Sequence, residues 1–154
     1  MKNREIPQHN SRIKSLFEKI RSIEDAKMQA EWSKYLCVLT SGFIEQSICS
    51  IFSSYADTRA NSHIANYVRN QLNYFQNPDT NKIISLAKKF NKSWSDKIEL
   101  LFENEDKYKT SINSVVGNKN GIAHGKSVSV TFVRIKEWYE DVYKFIEEME
   151  KIIK

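Results

Sequence analysis

The sequence predicts an all-α fold, a bundle of amphipathic helices, and three observations lead there. Only four Gly and two Pro interrupt 154 residues, so few positions break a helix. Lys, Glu, Ile and Leu are abundant, and these residue types lose little freedom in a helix. Apolar residues recur at three- and four-residue steps, the period of one helix face. The chain fits one domain over residues 1–154. At that size it buries about 68–70% of the surface its unfolded form exposes, so it needs no disulfide or metal to fold.

Taken in order, residues 1–10 are polar, hold Pro7 and Asn10, and read as a frayed lead-in. Ile13, Leu16, Phe17, Ile20 and Ile23 form one stripe of a first helix, with Asn10 or Ser11 as its N-cap. The second helix runs roughly from Trp32 to Tyr55. It is apolar over much of its circumference, as expected of a central helix covered on several sides. Glu45 stands within it, and a carboxylate on such a helix needs an edge or a partner. Residues 59–76 give a weaker helical pattern. Asn77-Pro78-Asp79-Thr80 reads as a turn, with Asp79 or Thr80 capping a short helix through Ile83 to Phe90. A break is expected over Asn91 to Ser95, then a short helix around Ile98 to Phe102. Tyr108, Ile112, Val115 and Val116 mark a helix stopping near Gly117-Asn118. Thr131 to Ile153 carries the clearest helical period in the chain, with Lys and Glu opposite its apolar face.

The net charge of +5 leans weakly toward an anionic partner. Mixed runs such as Lys14/Glu18/Lys19/Arg21/Glu24/Asp25 read first as a solvated helix face. Cys37 and Cys49 form no Cys-x-x-Cys pair and read as buried free thiols of a reducing compartment. No apolar segment follows the charged start, and no run approaches membrane-spanning length without interruption. The expectation is a soluble, cytoplasmic protein with no membrane partner.

The chemistry-bearing segment lies between the last two long helices. Gly117-Asn118-Lys119-Asn120-Gly121-Ile122-Ala123-His124-Gly125-Lys126 sets cationic, amide and imidazole groups beside three of the four glycines. Glycine allows close backbone approach to a ligand, and His124 is the side chain that titrates near neutral pH. If residues 120–124 are helical, Asn120 and His124 share a face. The other reading is a plain helix C-cap at Asn118 to Gly121, with His124 bonded to nearby backbone.

Asn118 to Gly125 resembles the signature of HEPN domains, in which an Arg, commonly followed by Asn, stands a few residues before a His. The Asn120-Gly121-Ile122-Ala123-His124-Gly125 portion is similar to the RiboL-PSP-HEPN branch. Tyr35 to Glu45 resembles that branch's early helix, and Phe75-Gln76-Asn77-Pro78 its mid-chain turn. The resemblance covers roughly residues 30–150. It implies a HEPN-type bundle of about four to five main helices with short extra helices, and a motif loop at about residues 117–130. It also implies a homodimer that brings two motifs to one cleft. Many relatives are metal-independent endoribonucleases of defence, toxin–antitoxin or RNA-processing systems, where an antitoxin or associated defence protein is the expected partner. Others are non-catalytic binding modules. This chain carries Lys119 where the family pattern has Arg, and so lacks the planar fork that grips phosphate through two parallel bonds.

As a ribonuclease the chain would use the ribose 2′-hydroxyl of RNA as nucleophile and need no cofactor or metal. The candidate catalytic residues are His124 for proton transfer, Lys119 for phosphate charge, Asn120 for orientation, and Glu45 to fix the His tautomer or hold Lys119. Glu45 has the alternative of a salt bridge at the bundle edge. Asn118 and Lys126 are candidate substrate-binding residues. His9 and His63 read as surface residues. Cys37, Cys49 and the three His show no zinc-ligand spacing, and the glycine segment lacks a Walker ending. Tyr67, Tyr74, Phe75 and Tyr139 read first as core, and Arg59, Arg69, Lys88, Lys89 and Lys92 as either a solvated face or a basic patch for RNA.

Overall fold

A computed structural model describes residues 4–154 and contains seven helices among them. They are α1 (Glu5–Arg21), α2 (Ala26–Arg59), α3 (Ser62–Leu72), α4 (Thr80–Phe90), α5 (Lys92–Asn104), α6 (Asp106–Ala123) and α7 (Phe132–Ile152). No strand occurs among the described residues. The fold is all-α, with four long helices (α1, α2, α6 and α7) and three shorter ones.

Local chemistry sets most of the boundaries. Asp25, Asn61, Asp79 and Thr131 each accept a bond from the backbone N–H three residues on, at 2.9–3.2 Å. Each such cap is worth about 1 kcal/mol. Asn91 serves two helices. Its N–H donates to Ala87 O at the end of α4, and its side chain accepts from Ser93 N at the start of α5. The break expected over Asn91 to Ser95 therefore shrinks to one residue, and Trp94 is buried.

The first helix begins earlier than expected. Residues 5–10 are helical rather than frayed; residues 1–3 of that lead-in lie outside the described residues. Ile6 is buried, and Asn10 sits inside α1 instead of capping it. The Asn10 side chain accepts a hydrogen bond from the buried Tyr139 hydroxyl. A polar residue that looks like a cap thus satisfies a core tyrosine, which a buried hydroxyl requires.

α2 is the central helix. α1 runs antiparallel to it, with His9 against Phe43 and Gln29 Nε2 donating to Ile20 O. α7 is also antiparallel to α1, through the Tyr139–Asn10 bond and the Phe17–Phe132 contact. α6 opposes α7, with Ser111 Oγ donating to Asp141 and Tyr108 against Phe145. α2 and α6 are therefore antiparallel, and they touch where Cys37 Sγ donates to Val115 O. By length and composition α2 could cross a membrane, yet 56% of its most apolar window is buried inside the bundle. Covering by α1, α6 and α7 accounts for that apolarity.

His9 is half-buried rather than a free surface residue, and burial, then the Arg12 charge, lower its pKa. Above the ordinary value of about 6.5 both folded and unfolded forms are neutral there. As pH falls through that value the unfolded chain takes up the proton first, so folding stability drops until the folded-state pKa is passed. Urea denaturation at pH 7.5 and 5.5 is expected to show a larger loss for the wild type than for His9→Gln. Equal losses would refute the assignment.

Candidate functional site

The motif segment is helical for longer than its glycines suggest. α6 runs through Gly117 and Gly121 to Ala123, with Val115 and Val116 buried beneath it. The expected stop near Gly117-Asn118 does not occur, and the connection to α7 spans only residues 124–131 rather than 117–130. Packing of the apolar face outweighs the roughly 1 kcal/mol that each helical Gly costs relative to Ala.

The helix ends in a Schellman arrangement one turn beyond the expected cap. Lys126 N donates to Gly121 O at 2.9 Å and Gly125 N to Ile122 O at 3.1 Å. Gly125 holds φ at +70°, a conformation that costs an L-residue about 1–2 kcal/mol. The chain then folds back closely enough that a Cβ on Gly121 would lie 2.9 Å from Val128 Cγ2. Gly121 and Gly125 thus shape the turn that presents His124. Gly125→Ala is expected to destabilise the protein by about 1 kcal/mol in urea denaturation, and Gly125→Asn by less. An unaffected Gly125→Ala variant would contradict the role of the turn.

His124 is the C-cap residue, exposed, and its imidazole makes no hydrogen bond to another described residue. Its backbone N–H donates to Asn120 O, so the α-helical offset persists. At 100° per residue Asn120 lies about 40° from His124 around the helix axis, and Lys119 about 140° away. Asn120 and His124 therefore share a face, while Lys119 points elsewhere.

Lys119 Nζ donates to Asn77 Oδ1 at 3.0 Å. Asn77 occupies the turn between α3 and α4 with φ +50°, and six residues back along α6 Asn113 Oδ1 accepts from Thr80 N at 3.1 Å. These two bonds staple the second half of α6 to that turn. The Phe75 to Pro78 segment and the Lys119 segment, separate in the sequence, therefore meet. Neither Asn77 nor Asn113 was a candidate; the Asn-Pro pair signals a turn but not what the turn faces.

The remaining candidates are placed as follows. Asn118 Nδ2 donates to Ser114 O within its own helix at 2.7 Å, which occupies its amide. Lys126 is exposed beside His124. Glu45 is half-buried on α2 and bonds to neither His124 nor Lys119. Because α2 and α6 run oppositely from the Cys37–Val115 contact, Glu45 and Lys119 sit about 18 Å apart along the bundle. One subunit does not bring Glu45 into the site. Its charge, after burial, helps raise the Cys49 thiol to about 11, while burial alone pushes Cys37 up to about 12. Neither thiol is a nucleophile at neutral pH. Among the described residues no three His, Cys, Asp or Glu side chains cluster as metal ligands.

At the axial level of the motif, on the side of α2 turned away from the Cys37 contact with α6, the N-terminal half of α2 exposes an apolar stripe. Met28, Trp32 and Tyr35 stand at i, i+4 and i+7 and are 53%, 45% and 45% exposed, with Trp32 and Tyr35 edge to face at 5.8 Å. Trp32 and Tyr35, expected under cover on the central helix, are instead open to solvent. α2 runs antiparallel to α6, so this stripe lies at the His124 end of the bundle.

The class is thus an all-α bundle presenting an exposed histidine at a helix C-terminus, followed by a long closing helix. The RiboL-PSP-HEPN family model matches residues 6–154, and the chain belongs to that family. Comparison with curated proteins and with solved structures gives no match. HEPN membership points to a ribonuclease or a nucleotide-binding module, and HEPN domains commonly bind RNA and dimerise.

Proposed function

We propose that the protein is a metal-independent endoribonuclease whose site is completed by a second copy of the chain. The observation that carries this reading is His124 itself, an imidazole held open at a helix end closed by the Gly125 turn, with Asn120 on the same face. The exposed Met28–Trp32–Tyr35 stripe at the same end supports pairing of two subunits, since an apolar row of this kind favours a protein contact.

Cleavage follows from the substrate's own nucleophile. One His124 takes the proton of a ribose 2′-hydroxyl, whose oxygen attacks the adjacent phosphorus. The P–O5′ bond breaks, and the second His124 returns a proton to the departing 5′ oxygen. The products are a 2′,3′-cyclic phosphate and a free 5′-hydroxyl. Lys119 neutralises charge on the phosphorane, an effect worth roughly 3–4 kcal/mol per preorganised donor. Since Lys119 and His124 diverge on one helix, the ammonium that serves a given histidine comes from the other subunit or leaves Asn77 to reach it.

A non-catalytic HEPN binding module is the second reading. It is favoured by the engagement of Lys119 with Asn77 Oδ1 and by the absence of a guanidinium fork at that position. Incubation of the protein with RNA in EDTA separates the two. Cleavage to cyclic-phosphate ends, by a species that sediments as a dimer, is the expected result. Chelator-sensitive activity, or cleavage by a monomer, would overturn the proposal.

A further inference from the structure

Away from His124, α3 and α4 bound an open cleft of about 560 Å³. Leu72, Phe75 and Phe90 contribute its apolar wall, and no Asp or Glu lines it. Tyr67 and Tyr74 stand on its rim, 62% and 81% exposed, although their helical spacing reads first as core. α3 buries only Ala65 and Leu72, so Tyr67 is left outside, and Tyr74 stands in the turn just beyond the helix. Two exposed tyrosines over an apolar wall offer flat faces on which a planar group stacks.

The charge at the cleft is of one sign. Lys82 Nζ donates to Gln76 O at 3.0 Å, which fixes one ammonium at the rim. Lys89 lines the same cleft from the next two turns of α4, about 10 Å further along the axis. Cations along a groove that also carries exposed aromatic side chains suit a strand of alternating phosphates and bases. A basic peptide is disfavoured by the lysines, and a duplex has no unstacked base to offer. Gln76 adjoins Asn77, which holds Lys119, so one end of the cleft lies a residue away from that contact, while Leu72 and Phe90 carry it along α2 toward Cys49 and Phe52.

We propose that the α3–α4 cleft is an accessory subsite for single-stranded RNA, stacking unpaired bases on Tyr67 and Tyr74 while Lys82 and Lys89 neutralise the flanking phosphates. This deepens the ribonuclease reading by naming where substrate beyond the cut site is held, and it rests on RNA being the ligand.

Binding is best measured in His124→Ala protein, by fluorescence anisotropy with a labelled single-stranded RNA and with its duplex. Tyr67→Ala and Tyr74→Ala are each expected to weaken single-strand binding about tenfold, with Tyr74→Phe retaining it. Lys89→Gln should lower the slope of log affinity against log salt by about 0.7. Duplex binding should change little in the tyrosine variants. Unchanged single-strand affinity in the Tyr67→Ala/Tyr74→Ala protein, equal losses on duplex, or binding of poly-glutamate but not RNA would overturn the subsite. The two readings fail separately. RNA held through these residues by a wild type that never cleaves sinks the nuclease and keeps the subsite; cleavage and binding indifferent to the tyrosines do the reverse.

Discussion

His124→Ala is expected to lower RNA cleavage by about 10²–10⁴-fold, the contribution typical of a general acid or base. The protein should keep its fold. The imidazole is exposed and makes no hydrogen bond to another described residue, and the backbone N–H that caps α6 survives the substitution. If two copies of His124 divide the base and acid steps, both are lost together in the variant homodimer. A mixture of wild-type and variant chains should then show activity falling faster than the wild-type fraction. Full activity in His124→Ala would remove the mechanism. Lys119→Ala is a useful companion, since it also cuts the bond to Asn77; a variant that loses cleavage but retains stability locates Lys119 at the phosphate rather than in the staple.

Phe43→Ala is expected to cost about 3–5 kcal/mol of folding stability. Phe43 is fully buried and packs on Tyr139 at 5.4 Å, Tyr143 at 6.3 Å and His9 at 5.3 Å. It is therefore the point where α1, α2 and α7 meet. Truncation leaves a cavity that three long helices cannot close without moving together. At about 2–4 °C per kcal/mol for a domain of this size, Tm should fall by roughly 10 °C. Trp32→Ala, on the exposed face of the same helix, should change monomer stability far less. Similar losses for both would mean that the core is not centred where α1, α2 and α7 converge.

The helical period made the long elements legible. The apolar face of α7 and the cap before α4, where Asp79 rather than Thr80 takes the role, follow from residue spacing and side-chain chemistry, because a helix is stabilised by contacts within a few residues. Other features misled for physical reasons. Gly117 and Gly121 look like breakers, yet buried Val115 and Val116 carry α6 past them. Asn10 looks like a cap, yet a tyrosine 129 residues away claims its side chain. Tyr67, Tyr74, Trp32 and Tyr35 fall at core-like spacing, but whether such a face is covered depends on which neighbour packs there.

By itself, the sequence determined the all-α class, the position of the His124 motif before the closing helix, and a likeness to one family. Each rests on local spacing or on a contiguous run of residues. Only the tertiary structure decided that Lys119 is held by Asn77, that Glu45 stands well away from His124 within one subunit, and that Tyr67 of α3 and Tyr74 of the turn after it border an open cleft. Those outcomes depend on how helices distant in the chain are oriented against one another. The period of a single helix cannot encode that, because it specifies a face and not what the face meets.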